Sequence, residues 1–461
     1  MQWRFNVKRE IYTELCNWKD RENRKPLIMR GARQVGKTWI LEKFARSHFP
    51  HVVKINFEER IEMKLIFKDF DVDRILDELS ILFSIEIIPG KTVLFFDEIQ
   101  ACPEAIVSLR YFYEKHPGLH IVAAGSLLDF TLEEMNHAMP VGRVEFCYMH
   151  PMNFKEFLLA LSQDKLISYI ENYAPGSDFS QIIHEKLLSL LRTYLFVGGM
   201  PEAVQAYITT KQLPQVERIQ SNILTALQYD FAKYGTRKQQ EHLLSVFRYC
   251  ARNVGQKAKY ARIDRDVRSV NLKRAFKQLQ MSRLIHIVHH TGANRVPLTS
   301  GIKDNVYKPL FLDIGLAGQL GAIRLIDLDT ILTNNEGALA EQFIGQELLT
   351  HAPRYTDSKL YYWVREERNA AAEIDYLFQW NNSLFPVEVK AGKTGSLKSL
   401  HVFLFEKNLQ TGIRFNLDRP NIGTFKTTLS AGKKQGDIEF KLLSLPLYMC
   451  FHLPKLLGEL S

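Results

Sequence analysis

Eight consecutive residues near the start of the chain have the types and spacing of a phosphate-binding loop. They match the pattern G-x-x-x-x-G-K-[ST], in which glycines let backbone N–H groups wrap phosphate oxygens and the following helix offers its positive N-terminal end. Lys37 is expected to reach the β- and γ-phosphates, and the hydroxyl of Thr38 to bind Mg²⁺. The predicted ligands are therefore ATP and Mg²⁺. The predicted loop comprises Gly31, Ala32, Arg33, Gln34, Val35, Gly36, Lys37 and Thr38.

A pair of carboxylates follows a strongly apolar run further along the chain. The run Thr92–Phe96 leads directly into Asp97 and Glu98. An apolar strand that ends in a carboxylate brings that group to the edge of a parallel sheet, beside a phosphate loop. We expect Asp97 to hold Mg²⁺ there and Glu98 to orient and deprotonate the attacking water.

Two more polar residues are candidates for the same site. Ser126 follows the apolar run His120–Ala124, so it is expected either to sense the γ-phosphate or position water, or to cap the helix that follows. Arg143 is a candidate arginine finger that stabilises charge in the transition state, acting within one chain or across a subunit interface. The alternative for Arg143 is an ordinary surface arginine.

A second constellation lies in the last third of the chain. Because side chains alternate along a strand, Glu388 and Lys390 should share one face, and Asp375 should lie on the neighbouring strand of a hairpin. Oxygen ligands suit Mg²⁺, and a nearby lysine can activate water or stabilise a pentavalent phosphate. The alternative is an exposed strand with alternating charges.

The elements that must position these groups can be read from hydrophobic periodicity. Apolar runs over 26–30, 52–57, 92–96 and 120–124 alternate with helical patterns, which predicts an α/β fold with a parallel sheet. After Pro151 the pattern is helical to about residue 234, with a break at Gly198-Gly199-Met200-Pro201. A helix over 337–350 then precedes three strand-like runs, at 359–364, 373–380 and 384–389.

The positive charge of the chain is concentrated in one segment. The net charge is +9, and residues 237–283 hold thirteen Lys or Arg against three Asp or Glu. A single basic segment is typical of contact with a polyanion, so we expect residues 237–283 to bind DNA; a solvated helical surface is the alternative.

The same segment has the pattern of a winged helix. Helices are predicted at 243–253, 260–266 and 269–279, and a strand at 284–288 precedes a turn at 291–294. Ser269 is the expected N-cap of the third helix, and Leu272, Ala275, Phe276 and Leu279 form its apolar face. This helix would enter a major groove. The alternative is a winged helix used for domain packing.

Composition excludes several classes of protein. A chain of 461 residues predicts two to four domains. Its five cysteines never form a C-x-x-C pair, which argues against a disulfide framework or zinc site. No apolar run approaches the ~18 residues of a membrane span, and the first residues lack the apolar core of a signal peptide. We therefore expect a cytoplasmic protein without membrane contact.

The motifs together resemble a known family. Gly-Ala-Arg-Gln-Val-Gly-Lys-Thr (31–38), Phe-Phe-Asp-Glu-Ile-Gln (95–100), Ala-Gly-Ser (124–126), Gly142-Arg143 and Phe-Val-Gly-Gly-Met-Pro-Glu (196–202) are similar to those of prokaryotic AAA-type ATPases related to the signal-transduction NTPases. The resemblance implies an AAA-like core over 1–160, a helical lid over 161–236, a winged helix over 237–300 and a restriction-endonuclease-like α/β domain over 301–461.

The last of these domains resembles the PD-(D/E)xK nucleases. The resemblance implies that Asp375, Glu388 and Lys390 are the core residues and that Glu341 is the acidic residue of the first helix, the three carboxylates holding a metal ion. Ile374 stands where the family often has proline, and such modules can keep the fold and lose turnover.

The sequence thus predicts an ATP-binding and ATP-hydrolysing switch or motor that binds DNA and carries a nuclease-like module. The first alternative is a regulatory NTPase whose C-terminal modules only bind DNA or a partner protein, without cleavage. The second is an effector whose nuclease acts only after assembly, which would require a homo-oligomer or a protein partner.

Overall fold

A computed structural model describes residues 7–126, 128–134, 140, 142–233, 235–293, 296–321, 336–365, 372–390, 397–431 and 434–460. The predicted turn at 291–294 therefore ends outside the described residues, because Asn294 is not among them. In the described part, no helix has the length and apolarity that crossing a membrane requires.

The first sheet is parallel throughout and confirms the predicted α/β core. Its strands are β1 (Leu27–Arg30), β2 (His51–Asn56), β3 (Thr92–Asp97), β4 (His120–Ala124) and β5 (Glu145–Tyr148), in the order β2-β3-β4-β1-β5. Both β3 and β4 are buried along their whole length, because helices cover the two faces of the sheet. The helices of this region are α1 (Ile11–Asp20), α2 (Lys37–His48), α3 (Val72–Phe83), α4 (Pro103–Lys115) and α5 (Leu128–Glu134).

A helical region follows, as the sequence predicts. It contains α6 (Phe154–Ala160), α7 (Asp164–Glu171), α8 (Gln181–Val197), α9 (Pro201–Thr210) and α10 (Leu213–Tyr229). The helix α8 ends at Gly198, which has a positive φ of 72°, and α9 begins with Pro201, whose fixed φ suits the first turn of a helix.

The basic segment forms α11 (Arg237–Arg252), α12 (Tyr260–Ile263) and α13 (Ser269–Met281). The predicted apolar face of α13 is buried, at Leu272, Ala275, Phe276 and Leu279. The predicted N-cap is wrong by one residue: Arg268 holds the cap position, no side chain caps the helix, and Ser269 is its first helical residue.

The second sheet has eight strands. They are β6 (Ile285–Thr291), β7 (Ile302–Phe311), β8 (Leu360–Val364), β9 (Glu373–Trp380), β10 (Ser383–Val389), β11 (Thr411–Asn416), β12 (Asn421–Ala431) and β13 (Lys434–Pro446), in the order β12-β13-β11-β10-β9-β8-β6-β7. With it lie α14 (Ile314–Leu320), α15 (Glu336–Leu349), α16 (Lys398–Lys407) and α17 (Leu453–Leu460).

This sheet extends across the boundary expected between residues 300 and 301, and the division of the chain into domains stays a prediction. The strands β6 and β7 lie on opposite sides of that boundary but pair with each other, and β6 also pairs in parallel with β8. The strands β6 and β7 therefore belong to the C-terminal sheet, and β6 is one of its inner strands. The physical reason is burial: Ile285 and Val288 are enclosed among strand neighbours and α13.

The parts of the chain meet in a shared apolar cluster, beside two smaller ones. A single cluster of buried side chains includes Phe44 of α2, Tyr194 of α8, Phe247 of α11, Phe343 of α15 and Tyr448 after β13. The helical region and the second sheet are thus packed on the first sheet without an intervening polar layer at these positions.

Candidate functional site

The predicted phosphate loop connects β1 to α2, at the carboxyl edge of the parallel sheet. Two of its glycines are required by geometry. A Cβ on Gly31 would lie 2.4 Å from the carbonyl oxygen of Met149, and Gly36, the N-cap of α2, has a left-handed φ of 97°. The backbone can therefore make the tight turn that exposes its N–H groups.

Lys37 is buried at the first position of α2. Its Nζ donates hydrogen bonds to the carbonyl oxygens of Gly31, at 2.9 Å, and Ala32, at 2.8 Å. Burial lowers the pKa of Lys37 to about 8, although Glu98 and Asp97 nearby favour the charged form. The ammonium is held by weak neutral acceptors, which a triphosphate can replace.

Thr38 and Asp97 meet across the sheet edge. The Thr38 hydroxyl donates to Asp97 Oδ1 at 3.0 Å, and Lys54 Nζ lies 3.2 Å from Asp97 Oδ2. Burial raises the pKa of Asp97 above its usual value, while Lys54 and Thr38 act in the opposite direction. A hydroxyl and a carboxylate side by side are oxygen ligands that fit Mg²⁺. Lys54 was missed in the sequence, because a lysine in a half-exposed strand has no distinguishing pattern.

Glu98 and Ser126 are also brought together. Glu98 has a left-handed φ of 49°, and its Oε2 accepts hydrogen bonds from Gln100 Nε2 at 2.7 Å and from Ser126 Oγ at 3.5 Å. Gly125 makes room for Gln100, because a Cβ there would lie 2.3 Å from Gln100 Oε1. The carboxylate is thus oriented by two polar neighbours.

A cavity of about 310 Å³ opens beside the loop. Of the predicted site residues it is lined by Arg33, Gln34, Gly36, Lys37, Thr38, Glu98 and Ser126. Its other lining residues were not foreseen as site residues: Val7 and Arg9 from the N-terminal segment, Trp39, Met152, and Pro201 and Glu202 at the start of α9. The cavity therefore lies between the parallel sheet and the helical region.

Arg143 lies elsewhere. Its Nε is 2.9 Å from Glu114 on α4, its side chain is about half exposed, and it does not line the cavity. Within the described residues, Arg143 contacts none of the side chains that line the cavity. Its role as an arginine finger stays a prediction, and the prediction now concerns a subunit interface.

Two arginines, the buried Arg9 and the partly exposed Arg33, connect the loop to other elements. Arg9 donates to the carbonyl oxygen of Val35 at 3.1 Å and pairs with Glu156 of α6 at 3.0 Å. Arg33 forms an ion pair with Asp230, just after α10. No sequence motif points to Arg9, because its partners are distant along the chain.

The Gly-Gly-Met-Pro turn connects the cavity to the C-terminal region. The carbonyl oxygen of Gly199 accepts from the N–H of Met152 at 2.7 Å, and the N–H of Gly199 donates to Asp313 at 2.6 Å. A Cβ on Gly198 would lie 2.2 Å from Asp313 Oδ1, which explains the pair of glycines. Asp313 is fully buried and caps α14, and burial raises its pKa to about 6.

The helix α15 contacts the same turn region. Gln346 accepts from the N–H of Ile314 and donates to the hydroxyl of Tyr194, both at 3.0 Å. Glu347 accepts from the N–H of Phe154 at 2.9 Å. Burial raises the pKa of Glu347 to about 8. One face of α15 is therefore bound to the segment that lines the nucleotide cavity.

The other predicted residues, Glu341, Asp375, Glu388 and Lys390, lie together at the opposite side of α15. Glu373, which was not predicted as a site residue, lies with them, and we call Glu341, Glu373, Asp375 and Glu388 the carboxylate cluster. Lys390 pairs with Glu388 at 2.7 Å, and Asp375 accepts from the N–H of Val389 at 2.8 Å. Burial, followed by the charge of Asp375, raises the pKa of Glu341 to about 8 and that of Glu388 to about 7.

A buried lysine that the sequence did not single out lies inside this cluster. Lys308 Nζ of β7 is 2.6 Å from Glu373, 3.6 Å from Glu341 and 4.0 Å from Asp375. In the described ranges, no group of three His, Cys, Asp or Glu side chains is arranged to hold a metal ion. The residues as placed therefore do not fit a resident Mg²⁺. The sequence feature that could have indicated a buried charge here is the position of Lys308 within the otherwise apolar end of β7.

The basic segment presents most of its charge to solvent. Of its thirteen Lys and Arg residues, eleven are exposed. Four take part in ion pairs with described acidic residues: Arg237 with Glu241, Lys257 with Glu373, Lys277 with Glu133, and Arg283 with Asp129 and Asp357. The C-terminal end of α13 thus lies against α5 of the first sheet, and its N-terminal end is open.

Three family models match consecutive parts of the chain. An AAA domain matches residues 23–158, and two domains of unknown function, DUF8612 and DUF4143, match residues 188–328 and 336–426. The AAA match contains the phosphate loop, Asp97, Glu98 and Ser126. The DUF4143 match begins with α15 and contains Glu341, Asp375, Glu388 and Lys390.

Solved structures similar to this one include a Walker-type ATPase of Pyrococcus abyssi. Its sequence is 16% identical, the TM-score is 0.44, and the match covers 68% of this chain and 95% of that chain. The ORC2 protein of Aeropyrum pernix, solved with ADPNP and ADP, is 12% identical, with a TM-score of 0.40 over 72% of this chain and 96% of its own. No curated protein sequence matches.

The AAA match and the phosphate loop at the edge of a parallel sheet agree with each other. Residues 23–158 thus match an AAA domain and contain its phosphate-binding loop, which supports an ATP-binding P-loop NTPase.

Proposed function

We propose that this chain is an ATP-hydrolysing switch that binds DNA through residues 237–283 and controls a nuclease-like module. One observation carries the proposal. Met152 lines the nucleotide cavity and is hydrogen-bonded to Gly199, which is hydrogen-bonded to Asp313. The next residue, Ile314, is hydrogen-bonded to Gln346 of α15, and α15 also supplies Glu341 to the carboxylate cluster. A change of nucleotide therefore has a packed, hydrogen-bonded route to the module.

The chemistry at the nucleotide end follows from the side chains. Lys37 leaves its carbonyl acceptors for the phosphates, because negative charge binds an ammonium more strongly than a neutral oxygen does. Glu98, held by Gln100 and Ser126, accepts the proton of the attacking water. Thr38 and Asp97 would hold Mg²⁺, which neutralises phosphate charge when bound.

The surface of the basic segment supports DNA binding. Arg268 and Arg274 are exposed at the open end of α13, and Arg262 and Arg265 are exposed just before it. Exposed guanidinium groups on neighbouring elements, here α12, α13 and the segment between them, suit a phosphate backbone. A helix that enters a groove as in a winged helix remains part of this proposal, with β6 and β7 shared with the C-terminal sheet.

The module itself has two candidate activities. The order Glu341, Asp375, Glu388, Lys390 on a helix and adjacent strands supports the nuclease-like assignment. The buried ammonium of Lys308 among those carboxylates favours the alternative, a regulatory NTPase whose C-terminal module binds DNA or a protein partner without cutting.

The proposed division of the chain is a core over 1–160 and a lid over 161–236, followed by the basic helices from 237 and a C-terminal unit that begins with β6 rather than at 301.

ATP turnover of the full chain with and without duplex DNA tests the proposal. We expect duplex DNA to stimulate turnover, since Lys257, in the segment between α11 and α12, pairs with Glu373 and so links the basic segment to the module. Turnover that does not respond to any DNA but responds to a protein partner would assign the chain to the regulatory alternative. DNA nicking, measured with Mg²⁺ or Mn²⁺ and with or without ATP, separates the two activities of the module.

A further inference from the structure

Three carboxylates of the C-terminal module surround one buried ammonium group, that of Lys308. Lys308 has only 4% of its side chain exposed, and its Nζ lies within 4.0 Å of Glu373, Glu341 and Asp375. The ammonium also lies 5.1 Å from the centre of the Tyr362 ring. A charged group this deeply buried is stable only when opposite charges surround it.

The electrostatics of the cluster agree with this geometry. Burial alone would lower the pKa of Lys308, but Glu341, Asp375 and Glu373 outweigh burial and raise the pKa above its ordinary value. Burial alone would raise the pKa of Glu373, but Lys308, together with Lys257, outweighs burial and lowers the pKa of that carboxyl. Lys308 is thus held in its charged form by the cluster.

The cluster still has an unsatisfied oxygen. Glu388 is buried, its Oε1 pairs with Lys390, and its Oε2 has no hydrogen-bond partner in the described part of the chain. A buried carboxylate oxygen without a partner costs free energy unless a cation or proton reaches it. Glu388 Oε2 is thus available as a ligand for a cation, while the ammonium of Lys308 occupies the space among Glu341, Glu373 and Asp375.

A divalent cation and Lys308 would compete for the same carboxylates. A cation bound by Glu341 and Asp375 would lie within a few ångströms of the ammonium, where two positive charges repel each other strongly in a buried site. The segment after α11 further encloses the cluster, because a Cβ on Gly255 would lie 2.4 Å from Glu341 Oε2.

We propose that Lys308 is a built-in counter-cation that keeps the carboxylate cluster closed to Mg²⁺ and Mn²⁺, so that a divalent cation binds only when the ammonium is removed or displaced. The inference rests on the proposed nuclease-like module and names Lys308 as the group that limits binding of a divalent cation there. It assigns to Lys308 a role in cation selection, which no residue pattern or family match gives it.

Mn²⁺ binding to the full chain without nucleotide, followed by isothermal titration calorimetry, tests the inference. Lys308→Met keeps the aliphatic volume and removes the charge. We expect it to gain or strengthen one Mn²⁺ site by about tenfold or more, because the repulsive charge is gone from a poorly solvated site. The double variant Lys308→Met/Asp375→Asn should lose that gain.

Lys257→Met is the matched control. Lys257 also pairs with Glu373, at 3.0 Å, but from the rim, with 34% of its side chain exposed. Its removal should change Mn²⁺ affinity by no more than about threefold, because solvent screens a charge at that position. An equal gain from both lysine variants would overturn the specific role of Lys308.

The remaining outcomes separate this inference from the proposed function. Wild-type protein that binds Mn²⁺ in a manner lost in Asp375→Asn, with no gain in Lys308→Met, would overturn the inference and leave the nuclease-like module intact. Absence of Mn²⁺ binding in every variant would overturn it as well, and nicking by wild-type protein reports separately on the module. If Lys308→Met unfolds, Lys308→Met/Glu373→Gln, which removes one charge of each sign, provides the same measurement.

Discussion

The N–H of Gly199 donates a hydrogen bond to the carboxylate of Asp313 at 2.6 Å, across 114 positions of sequence. The first residue belongs to the turn that leads into the cavity-lining Pro201, and the second begins a helix of the C-terminal region. Asp313 also accepts from the N–H of Leu316 at 3.0 Å. One buried carboxylate thus fixes the turn and caps the helix.

Asp313→Ala should destabilise the protein strongly. Two buried N–H groups, those of Gly199 and Leu316, lose their acceptor, so we expect the free energy of unfolding to fall by about 2–4 kcal/mol. Urea denaturation measures the change. Asp178→Ala, at a carboxylate with 94% exposure, is the control and should change stability by less than about 0.5 kcal/mol. Equal effects of the two would contradict the role of Asp313.

Lys37→Ala and Glu98→Gln should separate binding from turnover. Lys37→Ala removes the ammonium that meets the phosphates, so ATP binding or turnover should be lost. Glu98→Gln keeps the size and the contact with Gln100 but cannot take a proton, so ATP should bind normally and turn over at least about 100-fold more slowly. Equilibrium binding of a fluorescent ATP analogue and phosphate release measure both steps. Normal turnover in either variant would refute its assigned role.

Glu347 should make the stability of the protein depend on pH. Its folded pKa of about 8 exceeds the ordinary value of 4.5, so the folded state holds a proton that the unfolded state releases. The free energy of unfolding should therefore decrease as the pH rises from about 4.5 to about 8, and then level off. Glu347→Gln should flatten this dependence and stabilise the protein at pH 8 by about 2–4 kcal/mol. Thermal unfolding across this pH range measures it, with the exposed Glu185→Gln as control.

Charge reversal on α13 should weaken DNA binding. Arg268→Glu with Arg274→Glu removes two exposed positive charges near the open end of the helix, so duplex affinity should fall about tenfold or more, and the dependence of log K on log salt should lose about two units of slope. Fluorescence anisotropy at several salt concentrations measures both. Lys165→Glu, exposed on α7, is the control. Affinity that does not change with salt, even in wild type, would exclude DNA binding through phosphates.

Arg143 should act only between subunits, if it serves as a finger. Arg143→Ala has an intact nucleotide site, and Lys37→Ala has an intact Arg143, so a mixture of the two inactive proteins should recover ATP turnover above the sum of the separate samples. Turnover at several protein concentrations measures the effect. Full activity of Arg143→Ala alone would make Arg143 an ordinary surface residue paired with Glu114.

The sequence predicted the elements whose evidence is local. The parallel sheet, the phosphate loop and the apolar face of α13 follow from short-range patterns, and the structure has them. It did not predict Arg9, Asp313 or Lys308 as site residues, because each acts on partners far along the chain and none belongs to a repeated spacing. The sequence also predicted β6 as part of a wing. Its pairing with β8 joins residues about seventy positions apart, and local patterns contain no information about such a contact.

The two faces of α15 have a consequence for how the protein can be divided or recombined. Gln346 and Glu347 hold the ATPase side and Glu341 holds the carboxylate cluster, within two turns of a single helix. Dividing the chain before α15 would remove Gln346 and Glu347 from the ATPase side, and dividing it after α15 would remove Glu341 from the carboxylate cluster. Moving the C-terminal part onto another ATPase would therefore also require the surface that contacts Gln346 and Glu347.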